Sequence, residues 1–142
     1  MLPRSLVCTA PSTQGHIEAA GFIGGVFFFG QGVAVDYKRA LAAYKIGAEG
    51  GDANCQYQLG GMLSEEGYGC DVDYEQALVW YEKAAAQDEP DAFNSLGVMA
   101  RRGEGQTPSW RRARELYQRS IELGNEQTVE GMQTLNQSIQ NV

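Results

Sequence analysis

Few side chains in this sequence could make or break a bond: one histidine, His16, and three cysteines, Cys8, Cys55 and Cys70. Ser-His-Asp and Cys-His arrangements need an imidazole base beside the nucleophile, so each would have to use His16. Cys8 is the cysteine nearest to it in sequence, and both stand in or beside residues 1–15, which read as a tail. The cysteines are scattered and form no CxxC pair, so no metal site is expected, and no cofactor. An odd number of cysteines cannot all pair. They read as reduced thiols packed as small apolar side chains, which favours a reducing compartment such as cytoplasm or an organelle interior. Gly-x-Gly occurs at Gly30/Gly32, Gly67/Gly69 and Gly103/Gly105. Each pair precedes a capped helix instead of following a strand, which is the wrong context for a phosphate cradle. The acid pairs Glu65-Glu66 and Asp88-Glu89 read as solvated residues. The chemistry therefore points away from an enzyme.

Binding chemistry is better represented. Arg101, Arg102, Arg111, Arg112, Arg114 and Arg119 fall in one stretch with only Glu104 and Glu115, while the whole chain carries −7. So acidic a chain, with no nucleic-acid motif beside its arginines, is not expected to bind nucleic acid, since phosphate contacts need Lys and Arg. The arginines read as a solvated face, with Glu115 and Arg119 paired at i, i+4, or as a dock for an acidic protein. Ala19 to Val35 is uncharged over 17 residues, but a membrane-spanning helix needs about 20 apolar ones. No transmembrane segment is expected, and residues 1–15 lack the apolar region of a secretory signal.

The elements that hold these residues follow from the glycines. A chain of 142 residues is the size of one domain, yet it has 18 Gly and 4 Pro in an otherwise helical pattern. The glycines stand in register. Three units align: Ile17–Asp52, Ala53–Pro90 and Asp91–Asn125. Ile23-Gly24, Leu59-Gly60 and Leu96-Gly97 share a column, followed by the Gly-x-Gly pairs. Then come Asp36-Tyr37, Asp73-Tyr74 and Ser109-Trp110; Ala40, Ala77 and Ala113; and Tyr44, Tyr81 and Tyr117. The second unit has one extra residue between Gly60 and Gly67.

Each column has a physical role. Ala92, Leu96, Met99 and Ala100 show helical spacing, which predicts a first helix ended by Gly-x-Gly, where a left-handed residue is needed. Asp36, Asp73 and Ser109 are N-cap residues that open a second helix. Its aromatic, alanine and tyrosine at i, i+3 and i+7 form one apolar stripe. The small Ala and Gly allow close helix crossing, and the tyrosine is expected to fill the groove between units. Such a hairpin cannot bury its apolar face alone, so the units must stack.

These columns resemble the Sel1-like repeat, a relative of the tetratricopeptide repeat. The second unit, ANCQYQLG…GYGC…DYEQALVWYEKAA, is the closest match; the third departs with Ser109-Trp110 and Arg114. The resemblance implies an all-α, right-handed α-solenoid of three helical hairpins. The tail would occupy 1–15, the repeat domain 16–142, and a terminal helix about 126–140. It also implies a scaffold that holds one or more partner proteins on the concave surface of the first helices. Asn54, Tyr57, Gly61 and Glu65 occupy that face in the second unit, Asp91, Asn94, Val98 and Arg101 in the third, and Glu18, Gly21, Gly25 and Phe28 in the first. Phe28 and Phe29 stand where Arg101-Arg102 and Glu65-Glu66 stand, so the register sets them partly outside the core. A fold-back of Leu2, Leu6 and Val7, a partner, or a membrane surface could cover them. Candidate partner-binding residues are thus Phe28, Phe29, Asn54, Tyr57, Glu65, Asp91, Asn94, Val98, Arg101, Arg102, Arg111 and Arg112. A small subunit built into a larger organellar or membrane complex is the second reading. A cysteine-rich subgroup linked to weak β-lactamase activity is the remote one. Its paired cysteines are missing here: the comparable positions are mostly alanine, as at Ala84 and Ala85, and only Cys55 comes near a match.

Overall fold

A computed structural model describes the backbone of residues 2–140 and the side chains of 15–138 and 140. Within them the chain forms seven helices: α1 (Leu2–Phe29), α2 (Tyr37–Glu49), α3 (Ala53–Ser64), α4 (Tyr74–Ala85), α5 (Pro90–Arg102), α6 (Trp110–Glu122) and α7 (Thr128–Gln140). They pair as α1–α2, α3–α4 and α5–α6, each hairpin packs on the next, and α7 closes on α6. The fold is an all-α repeat solenoid. Leu2, Leu6 and Val7, expected to fold back over the phenylalanines, lie outside the described side chains.

The joint within each hairpin shows why the glycines recur. Gly30 (φ 68°) and Gly103 (φ 75°) take the left-handed conformation. The next amides, of Gln31 and Glu104, bond back to the Val26 and Met99 carbonyls at 3.0 Å, closing each first helix as a Schellman turn. The second hairpin differs. Its extra residue is absorbed by an earlier stop: α3 ends at Ser64, and Glu65 is extended (φ −130°). All three joints then converge. The amides of Asp36, Asp73 and Ser109 donate to the carbonyls of Phe27, Leu63 and Ala100 at 2.9, 2.7 and 2.8 Å. The same residues' side chains accept from the amides of Arg39, Gln76 and Arg112, capping the second helix. One residue thus ties both helices of a hairpin.

The core is the repeated stripe. Ala40, Ala77 and Ala113 are fully buried, as are Tyr44, Tyr81 and Tyr117 to within a few per cent. Each tyrosine ring lies on the glycine of its own hairpin: a Cβ on Gly24, Gly60 or Gly97 would fall 2.6, 2.9 or 2.5 Å from the ring. The tyrosine therefore borders the next hairpin, as expected, and also fills the crossing inside its own. Buried Gln56 ties the first two hairpins, donating to the Ala48 carbonyl at 3.2 Å and accepting from Gln87 at 3.0 Å. Arg119 pairs with Asp88 of the preceding hairpin at 3.3 Å and with Glu122 at 3.5 Å, not with Glu115 as the i, i+4 spacing suggested. Asp88, at φ 60°, turns its carboxylate across the unit boundary. No helix of the described residues is long and apolar enough to cross a membrane.

Candidate functional site: the groove across the first helices

Two adjoining cavities run along the face shared by α1, α3 and α5. One, of about 220 Å³, is lined by Phe28, Tyr57, Gln58, Gly61, Met62, Glu65, Tyr68, Tyr81 and Ser95. The other, of about 270 Å³, is lined by Ser64, Glu65, Tyr81, Asn94, Ser95, Val98, Met99, Arg102 and Glu104. They share Glu65, Tyr81 and Ser95, so the depression is continuous across the three hairpins.

Its halves differ in chemistry. At the α1 side, Phe28 stacks on Tyr68 (centroids 5.4 Å apart) and meets Tyr37 and Tyr44 edge-on, so it is half-buried in an aromatic cluster. Phe29 beside it is 61% exposed and turned out of the groove lining. Tyr68 donates to Glu65 at 3.4 Å. Its own phenol is held above the ordinary tyrosine range by desolvation first, then by the Glu65 charge and hydrogen bond. In the middle, the Tyr81 hydroxyl lies 3.4 Å from Ser64 Oγ. Burial pushes the Tyr81 phenol up to about 12, against the opposing effect of hydrogen bonds from Ser64 and Ser95. Tyr57, its ring centroid 5.8 Å from that of Tyr81, is raised by burial and then by the Asp91 charge. At the α5 side the walls become polar and charged, with Arg102 and Glu104 3.9 Å apart.

Tyr81 belongs to a second helix, yet it lines a groove built from first helices. Its hydroxyl emerges beside Gly61, where a Cβ would come within 3.6 Å of it. Gly25 holds the same column in the first hairpin, 3.8 Å from the Tyr44 hydroxyl on the same measure. In the third hairpin that column is Val98, and the Tyr117 hydroxyl is buried with no hydrogen-bond partner among the described residues. Burial raises the Tyr117 pKa and the nearby Arg101 charge opposes the rise. The Nε of Arg101 is likewise buried and unpartnered.

Phe28, Tyr57, Glu65, Asn94, Val98 and Arg102 therefore come together in the groove. Arg101 instead lies beside Tyr117. Asn54 is exposed on the first turn of α3, outside the groove lining. Asp91 is also exposed, accepting from Asn125 at 3.0 Å. Arg111 and Arg112 project from the opening turn of α6, a second helix, away from the groove lining. Ser64, Tyr68, Tyr81 and Ser95 are groove residues that the first-helix face pattern did not single out. The doubled glycine Gly60-Gly61 was the available signal for Tyr81.

Nothing in the groove is arranged as a nucleophile with its base. Among the described residues, no cluster of His, Cys, Asp or Glu is placed to hold a metal ion. Cys55 is fully buried, and desolvation followed by the Asp52 carboxylate pushes its thiol up to about 12, so it stays protonated. What the groove offers is aromatic surface beside hydroxyl, amide and carboxylate groups.

The Sel1 repeat family matches residues 17–52, 53–89 and 90–125. The third match begins at Pro90, the residue that opens α5 at its first turn. The chain is similar to two Arabidopsis thaliana proteins, the ERAD-associated E3 ubiquitin-protein ligase components HRD3B and HRD3A. Identity is 34% and 32% over 77 residues, 54% of this chain. The chain spans only 13% and 11% of those relatives. Among solved structures it resembles a Sel1 repeat protein from Oxalobacter formigenes (TM-score 0.76, 31% identity, 82% of this chain and 47% of that one). It also resembles c5321, a protective antigen of uropathogenic Escherichia coli strains with an SLR fold (TM-score 0.76, 32% identity, 81% and 24%). Helicobacter pylori cysteine rich protein B shares the fold (TM-score 0.67, 18% identity, 82% and 89%).

Proposed function

The chain belongs to the Sel1 repeat family, and from that membership we propose that it is a non-catalytic scaffold whose first-helix groove holds a segment of a partner protein. Sel1 repeat proteins generally mediate protein–protein interaction, and theirs is generally a non-catalytic fold. The observation that carries the proposal is the continuity of the groove from Phe28 to Arg102 through Glu65, Tyr81 and Ser95. The preferred ligand is an extended peptide. It places an apolar or aromatic side chain against Phe28, Tyr57 and Tyr68 and its hydrogen-bonding groups against Ser64, Ser95 and Asn94. Rigid aromatic walls of this kind give contact area at low entropic cost. The two plant relatives, named as ligase components, support a role inside an assembly.

Peptides selected from a displayed library against the whole chain test this. Binding should weaken ~10-fold or more, over 1.4 kcal/mol, when Ser95→Trp fills the groove or Tyr57→Ala removes its aromatic wall. It should not change with Arg111→Ala or Arg112→Ala on α6. Peptides indifferent to the groove variants would overturn the assignment.

A further inference from the structure

The groove is not the molecule's only unfilled surface, and the repeats themselves show what a second one is shaped to accept. In the second hairpin, Cys55, Leu59 and Met62 of α3 pack on Ala40, Tyr44 and Ala48 of α2. In the third, Ala92, Leu96 and Met99 of α5 pack on Ala77, Tyr81 and Ala84 of α4. Leu59 and Leu96 are each 3% exposed as a result. The same column in the first hairpin is Ile23, which is 44% exposed. Ala19, also exposed, stands where Cys55 and Ala92 are wholly buried. On the second helices, Trp80 and Leu116 are partly buried against the core clusters at the hairpin junctions, whereas their counterpart Ala43 is a small, buried residue at the floor of the open end. Ala19, Ile23, Phe27, Ala43 and Ile46 line an open groove of about 430 Å³, with Arg39 at its rim 5.4 Å from the Phe27 ring. Phe22, 72% exposed, and Ile46, 57% exposed, extend the apolar surface around it.

We propose that this α1–α2 face is a docking site for one helix of a partner protein, and that the helix carries the small–Tyr–small stripe of a Sel1-type second helix. Its stripe matches Ala40-Tyr44-Ala48 or Ala77-Tyr81-Ala85, four residues apart, because those stripes fill the equivalent faces inside this chain. A second copy of the chain does not supply such a helix. Its α2 and α4 stripes are covered by α3 and α5, and its α6 stripe by α7. The surface is separate from the first-helix groove and shares no lining residue with it.

The probe is a synthetic peptide of residues 73–88, held helical by a staple between exposed positions 82 and 86, titrated into the full chain. Saturable binding is expected. It should weaken ~10-fold or more with Ile23→Glu or Ile46→Glu, both partly exposed and compatible with folding, and with Tyr81→Ala in the peptide. Val79→Glu on α4 of the chain, remote from the face, and Tyr57→Ala in the first-helix groove should leave it unchanged. No saturable binding, or binding indifferent to Ile23 and Ile46, overturns the proposal. So does a dimer of the chain that Ile46→Glu dissolves, which gives the face to a second copy. Binding seen only after removal of residues 1–14 overturns it too, by giving the face to the chain's own leading segment.

Discussion

At one end of the stack, α7 lies on the third hairpin with Leu135 and Thr128 fully buried, and it shows Gln133, Thr134, Asn136, Gln137 and Ser138 to the outside. At the other end, the first hairpin shows Phe22, Ile23 and Ile46. A repeat that ends against water is expected to carry a polar outer face. The α7 end has one and the α1 end does not. The apolar pattern along the first helices is nearly the same in all three hairpins, so what differs is the neighbour. Burial in a repeat protein is a property of the stack, and a residue such as Ile23 can be typed for a core it does not enter.

The widest separation between the two ends is expected from truncations measured by urea unfolding. Leu135→Ala empties a fully buried position under α7 and should cost ~2–5 kcal/mol. Ile46→Ser at the open end should stay within ~0.5 kcal/mol. Equal losses would break the comparison. Ser120 sharpens it. Its Oγ lies 2.8 Å from the Pro90 carbonyl and 2.7 Å from Thr128 Oγ1, so it stitches α5, α6 and α7 together. Ser120→Ala should cost ~1–3 kcal/mol by leaving Thr128 buried and short of a partner, while Phe22→Ser at the other end should raise solubility without lowering the unfolding midpoint.

Alkaline unfolding probes the middle of the stack against its ends. The Tyr81 phenol is pushed up to about 12 by burial, so the fold favours its neutral form. Its stabilisation is complete below the ordinary phenol pKa of 10 and is lost as pH rises from there toward 12. Between those values Tyr81→Phe should show a shallower fall in stability than the parent chain in a pH series of denaturant melts. The smallest effect belongs to the α7 end. Tyr117→Phe removes a hydroxyl that sits beside Arg101 without a well-formed hydrogen bond among the described residues, so it should change stability by less than ~0.5 kcal/mol, whereas Tyr81→Phe at neutral pH loses the Ser64 contact and should cost ~0.5–1.5 kcal/mol. A large loss from Tyr117→Phe would mean that its hydroxyl is engaged.

The architecture was legible because each repeated residue acts through its nearest neighbours in sequence. Asp36, Asp73 and Ser109 cap the helix that follows them, and Gly30 and Gly103 close the helix that precedes them. Local rules suffice for such positions. The groove was legible where a single helix face defines it, as at Tyr57, Asn94 and Val98. Tyr81 escaped because it enters from the opposite helix through the space left by Gly61, a relation between residues twenty apart. Arg101 and Arg102 were indistinguishable by type, and only the closing turn of α5 decides that Arg102 reaches the groove while Arg101 lies by Tyr117. Arg119 found Asp88 across a unit boundary, which no i, i+4 rule could anticipate.

The amide that ties each second helix to the first has a further use. In the second hairpin it holds at 2.7 Å although the joint there is one residue longer, because α3 simply stops sooner. Loop closure costs little per added residue, and exposed polar loop tips tolerate additions. The exposed tip at Glu66-Gly67, ahead of the packed Tyr68, is thus a natural insertion port. A tag, a fluorophore-bearing loop or a sensor peptide placed there should leave the stacking of the hairpins intact. Because Glu65 and Tyr68 border the groove, such a reporter would also sit at the edge of whatever the groove takes in.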